Sequence, residues 1–309
     1  MASLILKPLV SVVVPAYNRK DVILRAVTSL LTQNFEHEFE IIVVDDGSTD
    51  GTADQLNDLS TRVRVVRQCN QGAAAARRMG IESARGEFIA FLDSDDVAEP
   101  WHLAEHWRAL QLNPGAVLSF AAISSLNNSD SGLLNGDAMV RRLVEMAAPD
   151  RDGILTDPLH VFIREGCLTG SMNLMTYRDV ALKASARRYD IPAANDYSFA
   201  LNASRFGKFV FIERVTIRCE RRDDGIGNMR RQEQFAYALL AAHRALQDSG
   251  RRDQEIWHTF KHRIGSCWPS AVVSCYRSGK LSLACRIAYL GLRHGLTRET
   301  PRRLWWAIG

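Results

Sequence analysis

Short apolar runs alternate with longer amphipathic segments over the first hundred residues of the chain. The runs are rich in β-branched residues and nearly continuous, as expected of strands buried on both faces. They are the predicted strands, at residues 9–14, 40–44, 63–66 and 88–92. The intervening segments repeat apolar residues at helical spacing and predict helices at residues 21–31, 52–59 and 72–84. Pro15 is expected to end the first strand.

This alternation predicts an α/β domain with a Rossmann-like, mostly parallel sheet flanked by helices, because parallel neighbours are joined by right-handed helical crossovers. In such sheets ligands bind at the carboxyl ends of the strands. Three of these ends are polar, with Tyr17 and Asn18 after the first strand, Asp45 and Asp46 after the second, and residues 93–96 after the fourth. We therefore expect the three clusters to share one edge of the sheet.

The second half of the chain has a weaker pattern, and its elements are predicted one by one. They are an exposed, polar loop at 124–136, a strand at 209–212, and helices at 234–245 and from residue 281, the last with an apolar stripe of Leu281, Ala284, Cys285, Ala288, Tyr289 and Leu292. We expect an α/β domain over residues 1–225 and a basic helical extension over residues 226–309.

Charge is unevenly distributed in a composition that is otherwise typical of a soluble protein, with 46% hydrophobic and 24% charged residues. Residues 251–309 contain eleven Lys and Arg against three Asp and Glu. A basic tail predicts an anionic partner, and we expect a membrane surface rather than nucleic acid. The sequence has no recognisable secretion signal or membrane span, which predicts a cytoplasmic protein that is peripheral at the inner face of the membrane.

The acidic turn after the fourth strand is the strongest chemical signal. Asp93, Asp95 and Asp96 place three carboxylates within four residues, where they repel one another. A hard divalent cation would relieve this repulsion, and it could take its other ligands from phosphate oxygens and water. The alternative is an acidic turn that caps the next helix.

Four motifs in fixed order carry a resemblance to a known family. They are VPAYN at 14–18, VVDDGSTDG at 43–51, NQG at 70–72 with Ala76-Arg77 and Gly80-Ile81 after it, and GEFIAFLDSDD at 86–96. Together they resemble the family 2 glycosyltransferases of the GT-A fold, closely over about residues 9–110 and more loosely over 165–225. The resemblance implies an inverting, metal-dependent transfer from a nucleotide-sugar.

The resemblance implies a role for each matching position. Tyr17 would pack against the nucleobase, and Asp46, with Asp45 beside it, would hydrogen-bond the base or ribose. Asp93 would face the ribose, and Asp95 would bind the Mn²⁺ or Mg²⁺ that bridges the diphosphate, with Asp93 as a second metal ligand. The remaining substrate contacts implied are Pro15, Asn18, Arg77, Ser94, Ser171 and Arg218. Ser171 lies in the segment Gly170–Asn173, which matches the acceptor-facing loop of the family.

The implied catalytic base is Asp196, which would take the proton of the acceptor hydroxyl. Two positions nearby depart from the family pattern. Asn195 replaces the usual Glu, which puts the orientation of Asp196 in doubt, and Glu220 stands where a metal-binding His is often found. Glu220 could supply an oxygen ligand to the metal, or Arg218, Arg221 and Arg222 could bind the diphosphate instead.

Other features indicate the substrates and leave alternatives open. The Gln-x-x-Arg-Trp motif of processive relatives is absent, which favours the transfer of a single sugar. The resemblance implies a nucleotide-sugar donor, for which we expect a UDP-sugar, and a saccharide or lipid-linked acceptor in bacterial polysaccharide or glycolipid assembly. Residues 302–306 (RRLWW) predict an interfacial anchor, or simply core packing. The alternatives are a nucleotide-sugar-binding relative without turnover and another α/β nucleotide enzyme, such as a nucleotidyltransferase or a dehydrogenase; the absence of G-x-G-x-x-G after the first strand argues against a dehydrogenase.

Overall fold

The computed structural model describes residues 7–125, 153–166, 172–186, 194–219, 231–251 and 253–294. The chain divides into two compact units. Unit 1 consists of residues 1–156, 169–188 and 206–221, and unit 2 of residues 157–168, 189–205 and 222–309. The chain therefore passes between the units several times. The division at residue 225 that we expect from the sequence stays a prediction.

Unit 1 is built on one mixed sheet in the described part of the chain. Its strands are β1 (Val10–Ala16), β2 (Phe39–Asp45), β3 (Val63–Arg67), β4 (Phe88–Phe91), β5 (Val97–Ala98), β6 (Ala116–Ser125), β7 (Ile154–Leu155), β8 (Leu174–Tyr177) and β9 (Lys208–Cys219). They are ordered β3-β2-β1-β4-β8-β6-β9-β5, and β7 pairs with β9. The first four strands are mutually parallel, as predicted, and β8 then pairs antiparallel with both β4 and β6.

Helices cover both faces of the parallel half of the sheet. The described helices of unit 1 are α1 (Ile23–Leu31), α2 (Ala73–Ser83), α3 (His102–Leu112) and α5 (Arg178–Ser185). Val12 of β1 belongs to a core cluster with Ile23 of α1 and Leu103 of α3. Its neighbour Val13 points to the opposite face, where a Cβ at Gly80 of α2 would lie 2.3 Å from Val13 Cγ1. Burial on both faces explains why these strands are almost purely apolar.

The prediction that Pro15 ends the first strand is wrong, since β1 continues to Ala16. The backbone groups of Val14 and Ala16 point towards β2, and the carbonyl of Ala16 accepts a hydrogen bond from the amide of Asp46. The backbone groups of Val13 and Pro15 point the other way, towards β4, but β4 ends opposite Val13. The nitrogen of Pro15 thus points beyond the end of β4, and its missing N–H removes no bond of the sheet.

Two predicted elements differ in extent. The helix predicted at 52–59 is a single 3₁₀ turn, Ala53–Leu56, because Asn57 is extended and Asp58 has a left-handed φ of 58°. The strand predicted at 209–212 is part of β9, which is 12 residues long. β9 pairs with β5, β6 and β7, and this long-range pairing extends it beyond its apolar core.

The described part of unit 2 is helical. It contains α4 (Pro158–Glu165), α6 (Asn195–Ala203), α7 (Arg231–Ser249), α8 (Gln254–Arg277) and α9 (Leu281–His294). The helices predicted at 234–245 and from residue 281 are confirmed, but the second does not bury the whole predicted stripe. α9 buries Leu283, Ala284, Ile287 and Leu290, whereas Leu281, Cys285, Tyr289 and Leu292 are exposed.

None of the helices described here is both long and apolar enough to cross a membrane. Most of the loop predicted at 124–136 and the anchor predicted at 302–306 lie outside the described residues. Residues 124 and 125 end β6 rather than begin a loop.

Candidate functional site

The turn after β1 is hydrogen-bonded to the turn after β2. Asn18 has a left-handed φ of 51°, and its amide donates to Ser48 Oγ at 2.9 Å. The amide of Thr49 donates in return to Asn18 Oδ1 at 2.9 Å. Tyr17, which precedes this turn, is 45% exposed. Asn18 therefore has a structural role, and it leaves the ring of Tyr17 at the surface.

Asp45 ends β2 and lines a cavity of about 290 Å³ at this edge of the sheet. Its Oδ1 accepts a hydrogen bond from the amide of Ser48 at 3.0 Å, and its Oδ2 lies 3.6 Å from Arg67 Nε. The side chain of Arg67 is exposed. The remainder of the lining consists of Gly47, Ser48, Thr49, Gly51, Thr52, Ala53, Asp54 and Gln68. A polar hollow with a buried carboxylate and an exposed guanidinium suits a hydrogen-bonding ligand with both donors and acceptors.

Asp46 holds the segment that leads into α2. Its Oδ1 accepts hydrogen bonds from Gln68 Nε2 at 2.7 Å and from the amide of Gln71 at 2.9 Å, and its Oδ2 accepts from the amide of Gly72 at 2.7 Å. The residue is only 3% exposed. An ionised carboxylate offers about four lone-pair positions, so three of those of Asp46 are already used within the protein.

Arg77 of α2 connects that helix to the acidic turn. Its Nη2 lies 2.6 Å from Asp93 Oδ1, with side-chain exposures of 14% for Arg77 and 29% for Asp93. The Nε of Arg77 is buried and has no hydrogen-bond partner among the described residues. The contacts therefore run from Asp46 through Gly72 and α2 to Asp93, which joins the strand ends of β2 and β4.

The acidic turn itself is folded on its own backbone. The amide of Asp96 donates to the carbonyl of Asp93 at 3.0 Å, and Arg25 Nη2 donates to the carbonyl of Asp95 at 3.2 Å. Ser94 and Asp96 are buried, whereas Asp93 and Asp95 are partly exposed. The two aspartates of the D-x-D pair are thus the more accessible carboxylates of the turn.

The end of β9 is bound to the same turn. Arg218 Nε lies 2.5 Å from Glu99 Oε1, and the thiol of Cys219 donates to Asp96 Oδ2 at 3.3 Å. β5 and β9 pair antiparallel, with Val97 opposite Arg218. Arg218, predicted from the sequence as a phosphate ligand, is half exposed and is anchored by Glu99 through its Nε. Sequence reasoning missed Glu99, since an isolated Glu three residues after the turn carries no motif.

The donor set fits a magnesium or manganese ion that relies on its substrate for most ligands. Among the described residues no three His, Cys, Asp or Glu side chains are arranged to hold a metal. Such ions are commonly bound by one or two carboxylates together with phosphate oxygens and water. Asp93 and Asp95 are the carboxylates of the acidic turn that could supply oxygen ligands of this kind. Glu220, the third predicted ligand, lies outside the described residues, and so does Ser171.

Asp196 belongs to unit 2, where it lies in the first turn of α6. Its Oδ1 accepts a hydrogen bond from the amide of Tyr197 at 2.8 Å. Ala194, before the helix, has a left-handed φ of 61°. Tyr197 is buried, and its hydroxyl donates to the carbonyl of Phe162 at 2.9 Å. The neighbour of Asp196 therefore fixes the start of α6 in the unit.

A buried polar cluster, also missed from the sequence, lies within unit 1. His106 Nδ1 is 2.9 Å from Ser119 Oγ, and its Nε2 is 3.2 Å from Asn173 Oδ1. Thr216 donates to the same oxygen of Asn173 at 2.9 Å. Burial lowers the pKa of His106 to about 4, although its hydrogen bonds oppose this shift. Burial, and to a smaller extent the nearby His106, lowers the pKa of His102 well below its usual value.

This cluster changes one expectation about the acceptor loop. Asn173 is fully buried and also donates to the carbonyls of Ala121 and Ala122, and Met172 is 2% exposed. The last two residues of the segment predicted to face the acceptor are therefore part of the core of unit 1. A Met-Asn pair next to small polar residues carries no sequence signal that distinguishes a buried anchor from a surface loop.

Comparison with known proteins identifies a family profile and a set of relatives. The profile described as glycosyl transferase family 2 matches residues 11–169, about half of the chain. TuaG of Bacillus subtilis (strain 168), whose name assigns it provisionally to teichuronic acid biosynthesis, is 50% identical over 94 residues, which are 29% of this chain and 37% of TuaG. Glycosyltransferase GlyG of Streptococcus pneumoniae is 45% identical over 95 residues, 29% of this chain and 31% of GlyG. The similarity thus spans about a third of these relatives.

Solved structures share the fold over nearly the whole chain. TarS 1-349 of S. aureus, crystallised in complex with UDP-GlcNAc, superposes with a TM-score of 0.63 over 94% of this chain and 93% of its own, at 16% identity. The mannosyltransferase PcManGT of Pyrobaculum calidifontis, in complex with GDP-Man and Mn²⁺, superposes with a TM-score of 0.56 over 98% of this chain and 84% of its own, at 18% identity. These similarities confirm the predicted GT-A-like α/β fold with a helical C-terminal region.

Proposed function

Because the chain belongs to glycosyl transferase family 2, we propose that it transfers one sugar, with inversion, from a nucleotide-sugar to a hydroxyl acceptor. The proposed donor is a UDP-sugar, and the proposed cofactor is Mn²⁺ or Mg²⁺. The acceptor would be a saccharide or a lipid-linked saccharide in bacterial polysaccharide or glycolipid assembly. The name of TuaG and its 50% identity over the matched segment support this pathway class.

One observation carries the proposal. The ends of β2 and β4 are joined by hydrogen bonds and an ion pair that run from Asp46 to Gly72 and from Arg77 to Asp93. This connection ties the hollow beside Asp45 to the accessible pair Asp93 and Asp95. A nucleoside and its diphosphate need those two environments next to each other, one for polar recognition of the base and one for a cation-assisted phosphate.

The chemistry is a single displacement. The bond between the anomeric carbon and the diphosphate breaks with its electron pair going to the phosphate oxygen, while the acceptor oxygen bonds to the opposite face of the anomeric carbon. Asp196 would accept the proton of the acceptor hydroxyl. The cation, when bound, offsets the negative charge that grows on the leaving diphosphate. Arg218 would stabilise the same charge through the guanidinium nitrogens that Glu99 does not use.

The proposed uridine nucleotide has the support of one of the two structural neighbours. TarS is solved with UDP-GlcNAc, whereas PcManGT is solved with GDP-Man. The buried Asp45 carboxylate could accept the N3–H of a uracil. It could equally accept the N1–H of a guanine, so this contact supports a base with an imino hydrogen. Calorimetry with both nucleotides distinguishes uracil from guanine.

Calorimetry with UDP-GlcNAc, UDP-glucose and GDP-mannose, each with and without Mn²⁺, tests the donor and the cation. We expect one UDP-sugar to bind only when Mn²⁺ is present, and Asp95→Asn to abolish that binding without changing the thermal unfolding temperature. Asp179→Asn is a suitable control, because Asp179 is an exposed carboxylate paired with Lys183 on α5. Unchanged Mn²⁺-dependent affinity in Asp95→Asn would contradict the proposed metal site.

Release of UDP from the bound donor, with water as the acceptor, tests the base. We expect Asp196→Asn to bind the donor as the wild type does and to release UDP at least about 100-fold more slowly, in line with the usual contribution of a general base. Full activity of this variant would assign the base to another residue. A wild-type protein that binds the donor tightly and never releases UDP would favour the alternative of a binding protein without turnover.

A further inference from the structure

α9 is apolar around most of its circumference. One side packs within unit 2 and buries Leu283, Ala284, Ile287 and Leu290. Contact with α8 is very close there, since a Cβ at Gly291 would lie 2.2 Å from Trp268 Cδ2. Among the described residues, the packing of α9 in the unit therefore uses one side of the helix.

The opposite side of α9 is an exposed apolar face. Leu281 is 56% exposed, Tyr289 58% and Leu292 59%, and Cys285 is exposed as well. These four residues, which we call the outer face, are spaced at i, i+4, i+8 and i+11 and therefore form one stripe along the helix. A helix that is apolar on nearly every side is normally buried on nearly every side. The outer face is thus a surface without a partner in the described part of the chain.

The charged residues of α9 itself are all positive. α9 contains Arg286 and Arg293 and no acidic residue, and Arg277 lies just before it at the end of α8. The guanidinium of Arg293 lies against Tyr289, with Nη1 3.0 Å from the hydroxyl and Cζ 6.0 Å from the ring centre. Tyr276, also near the end of α8, is 66% exposed. Apolar residues are therefore flanked by cations and by tyrosines, which have an apolar ring and a polar tip.

We propose that the outer face of α9 binds an anionic lipid surface, with the helix axis parallel to the membrane plane. Leu281 and Leu292 would enter the boundary between head groups and acyl chains, and Arg286 and Arg293 would contact the lipid phosphates. Interfacial helices bind in this way, by apolar burial combined with attraction of basic residues to anionic lipid. The proposal does not depend on which donor or acceptor the chain uses.

Charge argues against the two other occupants of this face. A second copy of the chain would bring Arg286 and Arg293 towards their own counterparts, and like charges repel across an interface. The segment after α9, residues 295–309, contains three Arg and one Glu, so its sequence is also a poor complement to a basic face. An anionic surface is the one occupant of the three that matches both the apolar stripe and its charges.

Flotation with vesicles tests the proposal on the full chain. One set of vesicles is phosphatidylcholine alone, and the other is an equimolar mixture with phosphatidylglycerol. We expect the wild type to float with the mixed vesicles. The double variant Leu281→Ser, Leu292→Ser should lose about tenfold or more of that partitioning, since two exposed leucines would no longer be buried in lipid. Arg286→Gln with Arg293→Gln should lose about 10- to 30-fold, and only for the mixed vesicles.

The control is Leu112→Ser, because Leu112 is a leucine of unit 1 that is 65% exposed and lies on α3. It should float as the wild type does. The proposal is overturned if the wild type stays with the soluble fraction, or if the leucine double variant floats unchanged. Loss of flotation in Trp305→Ala with Trp306→Ala, but not in the leucine variant, would assign binding to the tail instead. A wild-type dimer in sedimentation velocity that the leucine variant converts to a monomer would assign the face to a second copy.

Discussion

Arg77 Nη2 and Asp93 Oδ1 lie 2.6 Å apart, so two residues that the sequence predicts as separate substrate contacts form one ion pair in the protein alone. The pair is largely buried, with Arg77 14% exposed. A short, charge-assisted bond of this kind fixes both side chains. Asp93 is therefore oriented before any substrate arrives, which reduces the ordering that donor binding requires.

Arg77→Ala should weaken donor binding by about 10-fold or more, because a hydrogen bond to a charged group contributes about 1.5–3 kcal/mol and its loss leaves Asp93 without that partner. Calorimetry with the UDP-sugar and Mn²⁺ measures the change. Arg78→Ala is the matched control, since Arg78 pairs with Glu82 at the surface of the same helix. An exposed pair contributes about 0–1 kcal/mol, so the control should bind donor normally. Equal affinities in the two variants would be evidence against a positioning role for Arg77.

Asp46→Asn should destabilise the loop before α2 by about 2 kcal/mol or more. The carboxylate accepts from Gln68, Gln71 and Gly72, whereas an Asn side chain has a single acceptor oxygen and would turn an NH₂ group towards one of these donors. Hydrogen exchange at the amides of Gln71 and Gly72 should become faster, and urea unfolding measures the free-energy change. Exchange at wild-type rates in the variant would show that the loop does not depend on this carboxylate.

Glu99→Gln should weaken donor binding less than Arg218→Ala does, and it should leave the fold intact. Glu99 binds Arg218 through Nε, and a neutral amide would hold the guanidinium less firmly. Glu105→Gln is a close control, because Glu105 makes a similar pair with Arg214, which also belongs to β9. A titration of UDP against all three variants checks the order. If Glu105→Gln weakens UDP binding as much as Glu99→Gln, the effect is general to β9 and not specific to Arg218.

Stability should fall as the pH is lowered from about 6.5 to 4. Burial lowers the pKa of His106 to about 4 in the folded chain, while the unfolded chain keeps the usual value near 6.5. The unfolded state therefore binds more protons in this window, and protonation favours unfolding. His106 accounts for about 3 kcal/mol of that loss, and its contribution is fully present above pH 6.5. His243, with a pKa also lowered to about 4 mainly by burial, acts in the same direction.

Urea unfolding at several pH values in this range measures the slope. His106→Gln should be less stable at neutral pH, but its stability should depend less on pH than that of the wild type. This comparison of slopes is insensitive to any general loss of packing in the variant. An unchanged slope would mean that His106 is not the buried group that takes up the proton.

The parallel half of the sheet could be predicted because its strands are buried on both faces and its polar residues come directly after them. Val12 belongs to a purely apolar run, which predicts a buried strand, and Asp46 is an acidic residue directly after a strand, which predicts a site. The position of β8 between β4 and β6 could not be predicted, since strand pairing over such separations leaves no local pattern. His106 lies within an amphipathic helix, and the pattern of that helix gives no indication of its distant partners Asn173 and Thr216.

α9 shows a different limit of sequence patterns. An apolar stripe identifies which residues avoid water, but two stripes lie on this helix and only one is buried by unit 2. The sequence favoured the stripe that contains Leu281 and Tyr289, and the structure buries the one that contains Ile287 and Leu290. The choice depends on the shape of α8, where Trp268 meets Gly291.

The acidic turn is synthesised well before the strand that stabilises it. Cys219 and Asp96 are 123 residues apart in the chain, and Glu99 and Arg218 are 119 residues apart. The acidic residues of the turn have therefore left the ribosome long before β9, which binds them, is synthesised. Until β8 emerges, β4 also presents an open edge to water or to a chaperone. A polypeptide cut at residue 169, where the family profile ends, would carry the recognisable motifs and lack the scaffold that shapes them.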